Sequence, residues 1–344
     1  MPLAEPQRQR LPNELILQVI EGLFPASVAQ AAAIFPASST ITKTLLSFTR
    51  VSRATYEFSS RVLRERCMHI DSSRRLSLVL LQIAAPRLET LPPAFSLKCI
   101  TSLFLEPFGK TLDDQPLAFW VRELFCEVCN TLKRLVVDLP LESLSVYDDH
   151  LNVRPTLTDG FSRLTNLEQL VFLRGYPSLI FKAPTATVDY WSLWPKLKSV
   201  VLFNVPVNSS WLWHDIANSR QLDQVVLVRS VGLEGTNIKE MYRNVLETNE
   251  AMALRSVKVT MADVENDLAE MTTARWAEYD PDGKLTVSKY YIPTSFYGDE
   301  DADTLCCDWV KAAAVNGSIW SWEGEPVEAL SMDDGPQIPA NTTV

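Results

Sequence analysis

Few residues of this 344-residue chain have the types and spacing that catalysis requires. Its three histidines, His69, His150 and His214, stand in no catalytic motif, and the sequence holds neither a nucleophile elbow nor a glycine-rich phosphate loop. Segments 148–150 and 213–215 set an imidazole beside a carboxylate, but no nucleophile accompanies either, so we interpret both as surface residues. The sequence therefore predicts a protein that is not an enzyme and has no catalytic residues.

Metal sites are equally poorly supported by the sequence. Cys126 and Cys129 have the spacing of a zinc knuckle, yet they fall within an amphipathic helical pattern and no second pair follows, so we interpret them as structural thiols. Segment 278–283 imitates the start of a calcium loop, but Lys289 stands where the loop needs a bidentate glutamate. We predict a tight turn there, with no metal and no cofactor.

Composition limits the classes of partner. The chain is 47% hydrophobic, which suits one or two domains with a large core. Its 42 acidic residues outnumber 32 basic ones, and this balance argues against nucleic acid as a partner. We find no secretory signal and no apolar run of the roughly 18 residues that would span a bilayer. The expected location is cytoplasmic or nuclear, or both, where cysteines stay reduced.

The amino-terminal 70 residues contain short helical patterns whose apolar surface is larger than these helices can bury against one another. Pro12 suits the first turn of a helix, and the apolar residues after it cover roughly 200° of the helix circumference, where an ordinary surface helix needs roughly 100°. A second apolar helix is predicted around 45–51, and a third from Ser52 to about Ile70. Three short helices cannot bury this much surface among themselves, which indicates a partner.

These residues carry a family resemblance. The run Leu-Pro-x-Glu-Leu from Leu11, followed by Leu45-Leu46 and Val51-Ser52-Arg53, resembles the F-box, in the version found in filamentous fungi. The resemblance covers residues 11 to about 71. It implies a helical unit that docks onto the Skp-type adaptor of a cullin-RING ubiquitin ligase, while the rest of the chain selects a protein substrate. The positions that match the family's docking and core positions are Leu11, Pro12, Leu15, Ile16, Val19, Ile20, Leu45, Leu46, Val51 and Ser52.

The chain departs from the F-box pattern in two places. Residues 24–44 form an insertion where the family has a handful of residues, and Thr55 stands where the family prefers a large aromatic side chain. An insertion at this point can alter the adaptor-facing surface. A generic apolar helical hairpin is the alternative interpretation; it explains the apolarity but not the Leu-Pro start together with Val-Ser-Arg.

Downstream, a short strand-like pattern recurs. An apolar residue followed by further apolar residues three and five positions later begins at Ile100, Leu132, Leu167, Leu197, Leu222 and Leu254, at intervals of 25 to 35 residues. Helices are predicted between these strands at 117–132, 211–217, 236–249 and 263–278. Repeated strand and helix units predict a degenerate leucine-rich-repeat-like α/β solenoid, the region that follows the F-box in many such proteins. An ordinary doubly wound α/β domain is the alternative.

The predicted organisation is therefore α/β, with three parts. These are an F-box-like domain at 1–71, a repeat domain at 72–322 with a strand at 284–292 and a helix at 303–315, and a flexible tail at 323–344. One sheet face is expected to be open to a partner, and the aromatic residues at 190–194 and 211–213 are candidates for substrate contact or for core. The expected function is substrate recognition for a Skp–cullin–F-box ubiquitin ligase; the alternative is a repeat scaffold or peptide-binding protein outside ubiquitin ligation.

Overall fold

The computed structural model of the chain describes residues 12–24, 33–84, 99–143, 149–175, 193–247, 255–264, 272–295 and 300–327. Leu11, Tyr190 and Trp191, which the sequence analysis singles out, lie outside the described residues, as do 328–344 of the predicted tail. None of the helices in the described ranges combines the length and the apolarity that crossing a membrane requires.

The chain begins with three helices, as the sequence predicts. They are α1 (Asn13–Glu21), α2 (Thr40–Phe48) and α3 (Arg53–Arg66). Pro12 occupies the N-cap of α1, and the Ser52 side chain accepts a hydrogen bond from the Thr55 backbone N–H in a capping box at α3. Helix α3 packs against both α1 and α2 around buried Ile20, Leu45 and Val62. It is shorter than expected, because residues 69–70 form a strand.

One open sheet contains every strand of the described chain. Its strands are β1 (His69–Ile70), β2 (Ser102–Leu105), β3 (Arg134–Val137), β4 (Gln169–Phe172), β5 (Ser199–Phe203), β6 (Gln224–Val228), β7 (Val257–Asp263), β8 (Leu285–Tyr291) and β9 (Glu325–Pro326). The nine strands stand in chain order, and all are parallel except β9, which pairs antiparallel with β8. The six predicted repeat strands and the predicted strand at 284–292 are confirmed, and β1 adds one before the expected domain boundary at 71.

Most helices lie on one face of this sheet. They are α4 (Ser73–Ala84), α5 (Gln115–Val128), α6 (Val153–Ser162), α7 (Ser210–Asn218), α8 (Ile238–Glu247) and the short α9 (Trp276–Tyr279). The predicted helices at α5, α7 and α8 are confirmed. Gly160 lets α6 approach α5, since a Cβ at this position would lie 3.1 Å from the Phe125 ring. The predicted helix at 263–278 is wrong at its start, because β7 continues to Asp263; residues 265–271 lie outside the described residues, and α9 occupies Trp276–Tyr279.

The other sheet face is covered too, which corrects the expectation of an open face. Helix α10 (Ala302–Asn316), predicted as a helix at 303–315, lies across it. Val310, Ala313 and Ala314 pack there with Ile319 and Trp322 of the following turn. The sheet residues beneath them are buried: Phe104, Val136, Val171, Leu173, Val201, Phe203, Val226, Val228 and Ala262.

The carboxyl-terminal part of this cover lies within the predicted tail. Residues 325–326 pair with β8, so the ordered chain runs past the expected boundary at 323. The Trp322 ring stacks on the Tyr290 ring at 4.1 Å between centroids. The segment that follows α10 is thereby held against β8, next to the edge strand of the sheet.

Candidate functional site

Helix α1 divides its wide apolar arc between a buried and an exposed side. Ile20 is fully buried and Ile16 packs beside it against the core of the three helices. Leu15 and Val19, one turn apart on the same face, remain 45% and 56% exposed. The sequence could not separate these roles, because apolar residues surround most of the helix.

Helix α2 and the turn after it repeat this division. Leu45 is fully buried, whereas Leu46 is 49% exposed and Val51 is 60% exposed. Ser52, also matched by the resemblance, acts locally as the N-cap of α3. We call the four exposed side chains, Leu15, Val19, Leu46 and Val51, the exposed apolar set.

The three helices are fastened to the sheet by the segment before α2. Within the predicted insertion at 24–44, residue 24 and residues 33–44 are described and 25–32 are not. The Ile34 backbone N–H donates to the Val315 carbonyl at 2.7 Å, and its side chain is buried in the core beneath α10. The Phe35 N–H donates to the Arg66 carbonyl, also at 2.7 Å. The insertion therefore links α10 to α3, and it fixes the helical unit against the sheet.

An ion-pair cluster at the carboxyl ends of β2 and β3 holds α10 in place. Lys311 of α10 lies 2.7 Å from the Glu106 carboxylate and 2.8 Å from that of Asp138, and Arg174 pairs with Asp138 at 2.7 Å. Burial raises the pKa of Glu106 above its ordinary value, although the hydrogen bond from Lys311 opposes this rise. These charges are paired with one another, so the arrangement serves to position α10. Sequence reasoning missed the cluster, since its members are up to 205 residues apart.

The cysteines and the predicted turn behave as structural residues. Burial raises the pKa of Cys306 to about 12 and that of Cys307 to about 11, so both thiols stay protonated at neutral pH. No group of three or more potential metal-ligating side chains occurs among the described residues. The predicted turn is confirmed at 280–283, directly after α9, and its Asp280 accepts hydrogen bonds from the Lys284 and Leu285 backbone N–H groups at 2.7 and 3.0 Å.

The described aromatic candidates lie on the sheet face that α4 to α9 cover, opposite α10. Trp194 and Trp213 are buried, and their indole N–H groups donate to the Phe161 and Val207 carbonyls at 3.0 and 2.8 Å. Trp211 is exposed on α7. The buried pair is core, so among the described aromatic candidates Trp211 remains available for contact with a partner.

Comparisons with known proteins add no relative: no family model, curated protein or solved structure matches this chain.

Proposed function

We propose that this chain is the substrate-recognition subunit of a Skp–cullin–F-box ubiquitin ligase, and that its amino-terminal helices dock onto a Skp-type adaptor. The observation that carries the proposal is the exposed apolar set, which lies at positions matching the F-box pattern. Large aliphatic side chains at these exposures have gained only part of the favourable free energy that full burial provides. Completing the burial of all four would contribute about 4 kcal/mol to binding, at roughly 1 kcal/mol each.

The buried members of the pattern support the proposal in a different way. Ile20 and Leu45 hold the three helices together, and Ser52 fixes the start of α3. In this proposal they set the spacing of the exposed side chains, while Leu15, Val19, Leu46 and Val51 contact the adaptor. Pro12 is exposed at the start of α1 and lies one turn before Ile16.

The connection between helices and sheet suits a subunit that presents a bound protein. A ligase of this kind works by holding its substrate near a ubiquitin-carrying enzyme, so the benefit is one of effective concentration and orientation. Ile34 and Phe35 couple the docking helices to the sheet and to α10. We propose that the sheet is a degenerate leucine-rich-repeat-like solenoid, since its parallel strands follow chain order and align equivalent apolar residues such as Leu103, Leu135 and Leu170.

The proposal is tested by co-expressing the full chain with a Skp-type adaptor and measuring copurification. We expect the wild type to copurify and the double variant Leu15→Asp with Val19→Asp to lose the adaptor. The matched control is Leu78→Asp with Leu81→Asp, which changes two side chains of α4 that are 51% and 62% exposed. The control should retain the adaptor.

Adaptor binding that survives the α1 changes, or that never occurs with the wild type, would overturn the proposal. The alternative, a repeat scaffold outside ubiquitin ligation, predicts one of these two results. Circular dichroism of each variant establishes that the fold is intact, and substitutions at exposed positions such as these should leave it so.

A further inference from the structure

A row of polar side chains crosses the sheet on the face that α10 covers. Strand register aligns its members at the amino-terminal ends of neighbouring strands: Ser102, Arg134, Gln169, Ser199, Gln224 and Lys258. Each lies two residues before a buried side chain of the α10-facing core or its continuation, so all point to that face. Neighbouring strands are roughly 4.8 Å apart, which brings adjacent members within reach of one ligand.

One half of the row is satisfied by the segment after α10. Gln224 Nε2 donates to the Trp320 carbonyl at 3.1 Å, and Lys258 Nζ donates to the Trp322 carbonyl at 3.5 Å. The other half is not. Arg134 donates from Nε and Nη2 to the Ser102 hydroxyl at 3.0 and 2.7 Å, and among the described residues no carboxylate pairs with it. The Gln169 Oε1 atom is buried without a hydrogen-bond partner.

A second guanidinium, that of Arg66, acts on Arg134 through its positive charge. Arg66, at the end of α3, lies over the Phe24 ring at 4.8 Å and likewise pairs with no carboxylate of the described chain. Burial, with the positive charge of Arg66 as a further cause, lowers the pKa of Arg134 to about 10. Two partly buried cations that lack a counter-ion among the described residues are unexpected in a chain with 42 acidic and 32 basic residues.

Two lysines adjacent to the row differ from Arg134 and Arg66, because each pairs with a carboxylate. Lys133 and Lys198, each one residue before a member of the row, both pair with Glu168 at 3.1 and 2.9 Å. Within the part of the chain that the structure describes, a carboxylate therefore pairs with these two exposed lysines and none pairs with the less exposed guanidinium groups of Arg134 and Arg66. An anion from outside would complete the charge balance at Arg134 and Arg66.

We propose that Arg134 and Arg66, together with the Ser102 hydroxyl and the Gln169 Nε2 group, which can donate hydrogen bonds, bind a phosphate group. Guanidinium groups offer paired N–H donors that match the oxygens of phosphate, and a phosphate carries up to two negative charges against one for a carboxylate. The group is either free inorganic phosphate or the phosphomonoester of a phosphorylated side chain. The site goes beyond adaptor docking, because it lies on the sheet face and uses none of the exposed apolar set.

The test measures binding of two probes to the full chain by isothermal titration calorimetry at constant ionic strength. The probes are inorganic phosphate and N-acetyl-phosphoserine amide, with acetate as the carboxylate comparison. We expect saturable phosphate binding that Arg134→Gln weakens by about tenfold or more, since a charge-assisted bidentate contact is lost. Lys133→Gln removes the same charge one residue away and should change the Kd by less than about twofold.

Two further variants keep the test decisive if Arg134→Gln does not fold. Arg66→Gln should also weaken binding, and Arg134→Lys should weaken it despite keeping the charge. Binding of phosphoserine as well as phosphate indicates a phosphorylated partner, and binding of phosphate alone indicates the free anion; both results support the site. Lack of saturation, equal binding by all variants, or equal affinity for acetate would overturn it. Adaptor copurification is measured separately, so these failures leave the docking proposal standing.

Discussion

Replacing Ile34 with alanine should destabilise the whole chain, although Ile34 lies in a loop. Its side chain is 2% exposed and packs in the core between the sheet and α10. Because its N–H also bonds to the Val315 carbonyl, the backbone around it is held and cannot easily collapse into the space that the substitution opens. The change therefore creates a cavity at the junction of the three amino-terminal helices, α10 and the sheet.

The size of this effect follows from the buried volume that is lost. Replacing a fully buried isoleucine with alanine costs about 2–5 kcal/mol, and we expect about 3 kcal/mol here. For a domain larger than 150 residues each kcal/mol lowers Tm by about 2–4 °C, so the expected decrease in Tm is about 6–12 °C.

Thermal unfolding followed by circular dichroism measures this decrease. The control is Leu46→Ala, because Leu46 is large and aliphatic but about half exposed. It should cost about 0.5 kcal/mol or less and lower Tm by about 2 °C at most. A Tm for Ile34→Ala within about 1 °C of the wild type would refute the anchoring role of this segment. An early separate transition of the helical unit in the wild type would refute it equally.

Three further predictions concern the rest of the structure. Burial favours a higher pKa for Asp280, but hydrogen bonds from Lys239 and two backbone N–H groups outweigh burial and lower that pKa. The stability that the Asp280 carboxylate contributes is therefore lost as pH falls through the lowered pKa. Asp280→Asn should therefore reduce the free energy of unfolding in urea by about 3 kcal/mol at neutral pH, and by progressively less below about pH 4. Cys306 and Cys307 should resist alkylation by iodoacetamide at pH 8 in the folded chain and react in urea. The fragment 1–75 should show no cooperative unfolding by circular dichroism, since it lacks the α10 contacts of Ile34; a cooperative, soluble monomer would contradict this.

The strands were predictable because their apolar pattern is local. Leu103, Leu135 and their equivalents align in the sheet as the repeat pattern predicts. The same strands also contain a signal that both sheet faces are buried, which the repeat pattern alone does not predict. Val200 and Val201 in β5, like Val225 and Val226 in β6, are consecutive apolar residues that point to opposite faces. Parallel strands of this kind are buried on both faces, so their sequence argues against an open face.

The sequence predicts which residues make up the candidate docking helices, but not which of these residues are exposed. The Leu-Pro start and the Val-Ser-Arg run locate the helices, but an apolar arc of roughly 200° cannot tell Ile20, which faces the core, from Val19, which faces solvent. That distinction depends on how α3 packs against α1. The roles of Ile34 and Lys311 depend on contacts between residues far apart in the chain, which no local pattern contains.

Hydrogen–deuterium exchange of the full chain, with and without a Skp-type adaptor, locates the residues that the adaptor contacts. We expect slower exchange on adaptor addition, by about tenfold or more, at residues 15–20 and 45–51, with α7 unchanged. Unchanged exchange in both segments at saturating adaptor, or slowing confined to other parts of the chain, would contradict it.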